Sequence, residues 1–148
     1  MNQRRKTASS VTSSPKIKSE FLFTIALQLE VSNLGDTPYG SQRVGRLVAG
    51  TFEGPKVKGT VLPGGACWML MRRDDVLEIE ARITLETYDK QQIYMTWKAF
   101  RHGPKEVIDR LNRGDTVDPE MHYFRATPYF ETSSEESHLL DCHRLPEG

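Results

Sequence analysis

Residues 21–31, FLFTIALQLEV, carry an apolar residue at every second position, and this alternation constrains the fold more than any other feature of the sequence. Successive side chains of a β-strand point to opposite faces, whereas the apolar residues of a helix recur every three to four positions. The segment is therefore predicted to be a strand with one buried face. Residues 76–88, VLEIEARITLETY, alternate in the same way, with apolar side chains at Leu77, Ile79, Ala81, Ile83 and Leu85.

Shorter segments extend the strand pattern. Strand-like runs occur at residues 43–52, 56–62, 91–100 and 121–132. Residues 32–42, SNLGDTPYGSQ, are rich in turn-forming residues and indicate a loop. Asp89 and Lys90 are predicted to form a turn, and Pro128 indicates an edge, a bulge or the end of the last strand.

One segment has the pattern of a helix. In GPKEVIDRLNRGD, Pro104 suits the first turn and Gly114 suits the C-terminal cap, so a helix is predicted over about residues 104–113. Many short strands with a single helix favour an antiparallel barrel or sandwich. We therefore predict a mostly β fold, an antiparallel β-barrel with one short α-helix.

Residues 50–68, GTFEGPKVKGTVLPGGACW, are unusually rich in glycine, which suits either a phosphate-binding loop or sharp turns. Gly54 and Gly59 have the spacing of a phosphate-binding loop, but the lysine required after the second glycine is absent. Pro55 also removes one backbone N–H donor from such a loop. We therefore predict that the glycines turn strands, with PGG at residues 63–65 forming a tight connection with positive φ.

The charge is zero over the whole chain but uneven along it. Residues 1–20 hold five basic residues and one acidic residue, so the remainder is net acidic. An acidic body argues against nucleic-acid binding, which needs clustered cations. Composition favours a disordered basic tail over residues 1–19, and the alternative for this segment is a transit peptide. Residues 20–148 are predicted to form a single domain. No apolar run is long enough for a membrane helix. The two cysteines show no disulfide pattern, which predicts a reducing compartment, and the predicted location is the cytoplasm.

Motifs for metal, cofactor or covalent chemistry are lacking. His138, Cys142 and His143 lack the paired spacing of a zinc site, so no metal is expected. Cys67 has no hydrolase signature around it and is interpreted as a packed cysteine. The sequence also contains no GxSxG elbow and no cofactor motif, so no cofactor is expected.

The polar side of residues 77–86 is the strongest candidate for function. Glu78, Glu80 and Arg82 share one face of the strand, and this face is either solvated or turned toward the lumen of a barrel. In a lumen, Arg82 would bind a carbonyl or carboxylate oxygen, and Glu80 or Tyr94 would move a proton. The predicted ligand-binding residues are Trp68, Trp97, Tyr123, Arg125 and His102.

Three stretches together resemble a known family. GTFEGPKVKGTVLPGGACW, LEIEARITLETYDKQQIY and RHGPKEVIDRLNRGDTVDPEMHYFRATPYFET are similar, in this order, to the domain of unknown function 3237 family, over about residues 21–140. The resemblance implies a compact antiparallel barrel similar in style to lipocalins, allene oxide cyclase and dirigent proteins. Those barrels bind small hydrophobic molecules, and some guide cyclisation. The family pattern places its strand arginine at Arg82 and an acidic residue near Glu80.

Several positions depart from the family pattern. Cys67 stands where the resemblance implies an aspartate, and Lys90 replaces a glycine. The family continues beyond the ET segment into a further strand, whereas this chain ends in HLLDCHRLPEG. The missing strand would leave an edge unpaired, to be explained by another subunit, by the N-terminal strand or by a truncated gene product.

Two functions follow as hypotheses. The first is a barrel that binds a small hydrophobic or aromatic molecule and isomerises or cyclises it without a cofactor. The second is a non-catalytic carrier or assembly partner, including a homo-oligomer, as the departures from the family pattern suggest. Neither hypothesis involves nucleic acid or a membrane.

Overall fold

The computed structural model describes residues 14–135, which form one antiparallel sheet of six strands in chain order. The strands are β1 (Thr24–Thr37), β2 (Gly40–Glu53), β3 (Lys58–Arg72), β4 (Leu77–Thr87), β5 (Gln92–His102) and β6 (Tyr123–Thr132). A helix, α1 (Lys105–Asn112), and a 3-10 turn (Pro119–Met121) connect β5 to β6. The mostly β fold with one short helix is confirmed, and α1 lies within the predicted range.

The sheet is curved strongly enough for its two ends to meet at one place. β1 and β6 lie at opposite ends of the strand order. Nevertheless, the ring of Phe23, which directly precedes β1, packs edge-on against the ring of Phe130 of β6, with a centroid distance of 6.1 Å. Phe23 also contacts Phe52 at 5.4 Å. Among residues 14–135, β1 and β6 nevertheless each pair with one strand only. Side-chain packing therefore closes this end of the barrel-like sheet.

The core occupies the concave side of the sheet. The odd-numbered residues of β4 point inward, and Leu85 is fully buried. Register brings Leu85 opposite Val61 of β3 and Ile93 of β5, both also buried. Burying one such side chain contributes about 1.5–3 kcal/mol, so this row holds the strands together. The period-two pattern therefore identified the buried face of β4 correctly.

The predicted loop at residues 32–42 is wrong in extent. β1 continues to Thr37 and β2 begins at Gly40, so only two residues form the turn. A bulge lies at Asn33–Gly35, where the Gly35 N–H donates to the Asn33 side chain at 2.9 Å. Gly35 has a φ of 93°, which favours glycine. The turn-forming residues of this segment therefore serve a bulge and a tight hairpin.

The predicted connection at PGG is also wrong, although its positive φ is right. β3 runs without a break through residues 63–65, and Gly64 has a φ of 103°. Leu62 pairs with Thr84 and Ala66 pairs with Arg82, so three residues of β3 lie opposite Ile83 alone. Such a bulge bends the strand, which helps to curl the sheet. The glycines of this segment therefore bend a strand.

The predicted turn at Asp89–Lys90 is correct. It joins β4 to β5, and Lys90 has a φ of 66°.

Two sequence predictions concern residues that lie mostly or wholly outside the described range. Most of the proposed basic tail, residues 1–13, lies outside the described residues, as does the segment holding His138, Cys142 and His143. Within residues 14–135, none of the helices is both long and apolar enough to span a bilayer.

Candidate functional site

The charged face of β4 lies on the outside of the curved sheet. Glu80 and Arg82 are exposed, whereas their neighbours Ala81 and Ile83 are buried in the core. Of the two orientations left open by the sequence, the lumen-facing one is therefore wrong, and the solvated one is correct. The reason is that the apolar side of β4 has the other core strands to pack against, while burying the charges would cost several kcal/mol each.

Cross-strand neighbours create a depression around Arg82. Arg82 pairs with Ala66 of β3 and with Thr96 of β5, which are both short side chains. The next outward row holds the larger Trp68, paired with Glu80. Directly opposed side chains of neighbouring strands lie about 4.5–5.5 Å apart, so tall residues around short ones leave a hollow.

This hollow, the outer cleft, has a volume of about 350 Å³. Its lining is mainly aromatic and charged, and it consists of Trp68, Glu80, Ala81, Arg82, Tyr94, Thr96, Trp97, Lys98 and Tyr129. The volume falls within the range of small-molecule sites. Three of the residues predicted to act on a ligand, Arg82, Glu80 and Tyr94, therefore line one cleft, together with the predicted wall residue Trp68.

Some charged side chains around the cleft form ion pairs with each other, whereas Arg82 does not. The Lys98 ammonium lies 3.6 Å from the Glu80 carboxylate and 3.9 Å from the Glu78 carboxylate. Glu78 also accepts a hydrogen bond from Arg72 at 3.0 Å. By contrast, no residue within 14–135 forms a hydrogen bond or ion pair with the side chain of Arg82. As far as the described chain goes, the Arg82 guanidinium in the lining of the cleft is thus available to an external acceptor.

Three other predicted ligand-binding residues, Tyr123, Arg125 and His102, lie outside the cleft. The Tyr123 ring stacks on His102 with a centroid distance of 5.1 Å, and the Arg125 guanidinium lies 5.4 Å from the Tyr123 ring. This stack is on the same outer face but nearer α1, and it does not line the cleft. Trp97 packs mainly against the core, although it borders the cleft.

Four lining residues were not predicted as site residues from the sequence, namely Ala81, Thr96, Lys98 and Tyr129. Thr96 and Lys98 share the outward face of β5 with Tyr94, so their positions follow from alternation once Tyr94 is chosen. Tyr129 reaches the cleft because β6 pairs with β5 in a register that sets it opposite Thr96. That register depends on the whole connection through α1, so no local pattern of β6 predicts it.

Comparison with known proteins identifies the family. Residues 17–144 match the profile of the family described as "Protein of unknown function (DUF3237)". The chain belongs to the DUF3237 family. It is 35% identical over 130 residues to a UPF0311 protein of Bradyrhizobium diazoefficiens, covering 87% of this chain and 85% of the relative. This membership confirms the resemblance drawn from the sequence.

Solved structures of similar proteins have the same fold. A crystal structure of a conserved protein of unknown function from Rhodopseudomonas palustris superposes with a TM-score of 0.78 at 33% identity, covering 86% of this chain and 84% of that one. A protein with unknown function from Clostridium acetobutylicum gives a TM-score of 0.71 at 30% identity, with 84% and 85% covered. A protein from Acinetobacter baumannii described as beta-barrel like gives 0.62 at 32% identity, with 83% and 84% covered.

Cys67, the position at which the resemblance implies an aspartate, lies on β3. Its side chain points into the core, opposite Ala81, and is 4% exposed. Burial raises the pKa of the Cys67 thiol above its ordinary value, because an apolar site disfavours the thiolate. Since the thiolate is the reactive form, Cys67 is poorly suited to nucleophilic chemistry.

We expect the Cys67 thiol to react with iodoacetamide at pH 8 at least about tenfold more slowly in the folded protein than in urea, because burial limits both ionisation and access. Cys142→Ser leaves Cys67 as the sole cysteine, so mass spectrometry of the alkylated protein reads its rate directly. Equal rates in the folded and unfolded chain would contradict the buried position.

Metal ligands do not cluster in the described part of the chain. Within residues 14–135, no group of three or more histidine, cysteine, aspartate or glutamate side chains is arranged to hold an ion.

Proposed function

We propose that this DUF3237 protein binds a small aromatic molecule with a carbonyl or carboxylate oxygen in the outer cleft. The observation that carries the proposal is the Arg82 guanidinium, which has no partner within residues 14–135 and lines an aromatic-walled cleft of about 350 Å³. A guanidinium binds a carboxylate through two parallel hydrogen bonds, which fixes both position and orientation. Trp68, Tyr94 and Tyr129 supply ring faces against which an aromatic ligand stacks.

A proton-transfer reaction is the chemistry that these residues support best. Arg82 would stabilise negative charge on the ligand oxygen as a proton leaves the neighbouring carbon. The Glu80 carboxylate and the Tyr94 hydroxyl both border the cleft and are the candidate groups to take up and return that proton. Isomerisation or cyclisation of a carbonyl compound needs no cofactor for such a step.

Phenylpyruvate is a suitable probe, because it combines an aromatic ring, a carboxylate and acidic hydrogens beside a carbonyl. We expect it to quench the fluorescence of Trp68, which lines the cleft and is 53% exposed. Arg82→Ala should weaken binding at least about tenfold, the equivalent of one charge-assisted hydrogen bond. The matched control is Arg46→Ala, since Arg46 is also an exposed outward arginine but lies on β2, hydrogen-bonded to Ser32. Equal affinity of Arg82→Ala and the parent would show that the cleft is not the site.

The catalytic part is measured separately by following the exchange of the phenylpyruvate methylene hydrogens in D₂O by NMR. Glu80→Gln should retain binding and slow exchange, with Tyr94→Phe as the companion variant for the other candidate group. Binding without any acceleration of exchange would restrict the protein to a carrier role.

Assembly is the second candidate function, and the sheet edges favour it. Within residues 14–135, β1 and β6 each have one side without a partner strand. Unpaired edges present rows of backbone N–H and C=O groups to other chains. Sedimentation of the full-length protein as a monomer over a wide concentration range would contradict self-assembly.

A further inference from the structure

The concave side of the sheet has a sealed half and an open half. In the sealed half, near the contact between Phe23 and Phe130, inward residues such as Val61 and Leu85 are almost fully buried. In the open half, the inward side chains of Met69 and Ile79 are only partly buried. Val31, inward on β1, is 56% exposed, so described residues leave this half accessible.

Two arginines point into the open half. Arg43 of β2 pairs with Met69, in the inward row that continues to Ile79. Arg101 of β5 lies in the adjacent inward row, opposite Leu77, which is 3% exposed. Both guanidinium groups therefore belong to the inward face of the sheet.

The positive charge of this pair lacks a counter-ion in the described chain. One Arg101 nitrogen donates to the neutral amide oxygen of Asn112 at 3.0 Å, and its Nε is buried without a hydrogen-bond partner. Residues 14–135 provide no carboxylate that pairs with Arg43 or Arg101. Burial, reinforced by Arg43, lowers the pKa of Arg101 from its ordinary value.

This arrangement is costly without a ligand. An arginine keeps its proton at any physiological pH, so the cost of burying it next to another cation falls on the stability of the fold. A buried unsatisfied N–H adds a further penalty. An anion between the two guanidiniums would relieve the repulsion between the two cations. The neighbouring Met69 and Ile79 side chains suit an apolar body attached to that anion.

We propose that the open half of the concave face is a second binding site, which takes a small organic carboxylate with an apolar body between Arg43 and Arg101. The carboxylate accepts hydrogen bonds from the guanidinium groups of Arg101 and Arg43. The apolar body lies along Met69 and Ile79. This site is on the opposite face of the sheet from the outer cleft, so it does not depend on Arg82.

The test uses full-length protein with octanoate as the probe, measured by calorimetry and by the shift in the thermal unfolding midpoint. Octanoate is expected to bind and to raise the midpoint. Arg43→Met and Arg101→Met should each weaken binding at least tenfold. Arg46→Met, which removes an outward arginine, should bind octanoate like the parent. Octanol, which has the same apolar body without the charge, should bind at least tenfold more weakly than octanoate.

Each contrary result overturns the proposal. Octanol binding as tightly as octanoate would show that the arginines take no part. Loss of octanoate binding in Arg82→Met would place the ligand in the outer cleft. If the chain's own residues 136–148 supplied the counter-charge, full-length protein would fail to bind octanoate. Should Arg101→Met not fold, Arg101→Lys replaces it, and unchanged affinity in both Arg101→Lys and Arg43→Met would equally contradict the site.

Discussion

Replacing Gly59 with alanine is expected to lower the free energy of unfolding by about 3 kcal/mol or more, as overpacking against rigid backbone does. Gly59 lies opposite Thr87, at the edge of the sealed core. A Cβ atom there would lie 2.0 Å from the carbonyl oxygen of Glu86. The obstacle is main chain, so β3 and β4 would have to separate. Urea denaturation followed by circular dichroism measures the loss.

Gly64→Ala is the matched control for this effect. Gly64 lies in the same strand, but an added Cβ would meet nothing within 4 Å, and its φ of 103° is the sole obstacle. The expected loss is about 1–2 kcal/mol, which is the cost of a positive φ for a residue with a side chain. Equal losses in the two variants would contradict the close approach of β3 and β4 at Gly59.

The strands were predictable where alternation was long and regular. β4 follows the pattern of residues 77–86 from end to end, because its apolar side meets core residues of both neighbours. α1 was predictable from Pro104 and Gly114, which suit its two ends, and Val107 within the helix is buried. Local pattern succeeded here because each element buries the face that its own sequence makes apolar.

Turn chemistry was less informative. PGG and SNLGDT contain the residues that turns need, yet both lie inside strands as bulges. Some bulges and some turns both use a residue with positive φ, so glycine at positions such as Gly35 and Gly64 does not distinguish them. The distinction depends on strand pairing across the sheet, which is set by distant residues.

The candidate site was also predictable only in part. Several residues around Arg82 were identified from the sequence, but the sequence did not decide whether they face a barrel lumen or the outside of the sheet. An amphipathic strand has the same alternating pattern in either orientation. The inward arginines escaped notice for a related reason. Arg43 and Arg101 are about sixty residues apart, and only the fold brings them to one side of the sheet.

Leu85→Ala is expected to lower the free energy of unfolding by about 3–5 kcal/mol, the range for deleting a large side chain from a rigid core. Leu85 has no exposed surface, and it lies between Val61 and Ile93, which are held by their own strand pairings and cannot close the cavity. Stabilities of small domains are about 5–15 kcal/mol, so the variant would be close to its limit at 37 °C. Thr84→Ala changes the adjacent outward residue of β4 and should stay within about 0.5 kcal/mol of the parent. Similar urea midpoints for the two variants would contradict the assignment of the odd-numbered face of β4 to the core, and with it the outward orientation of Arg82.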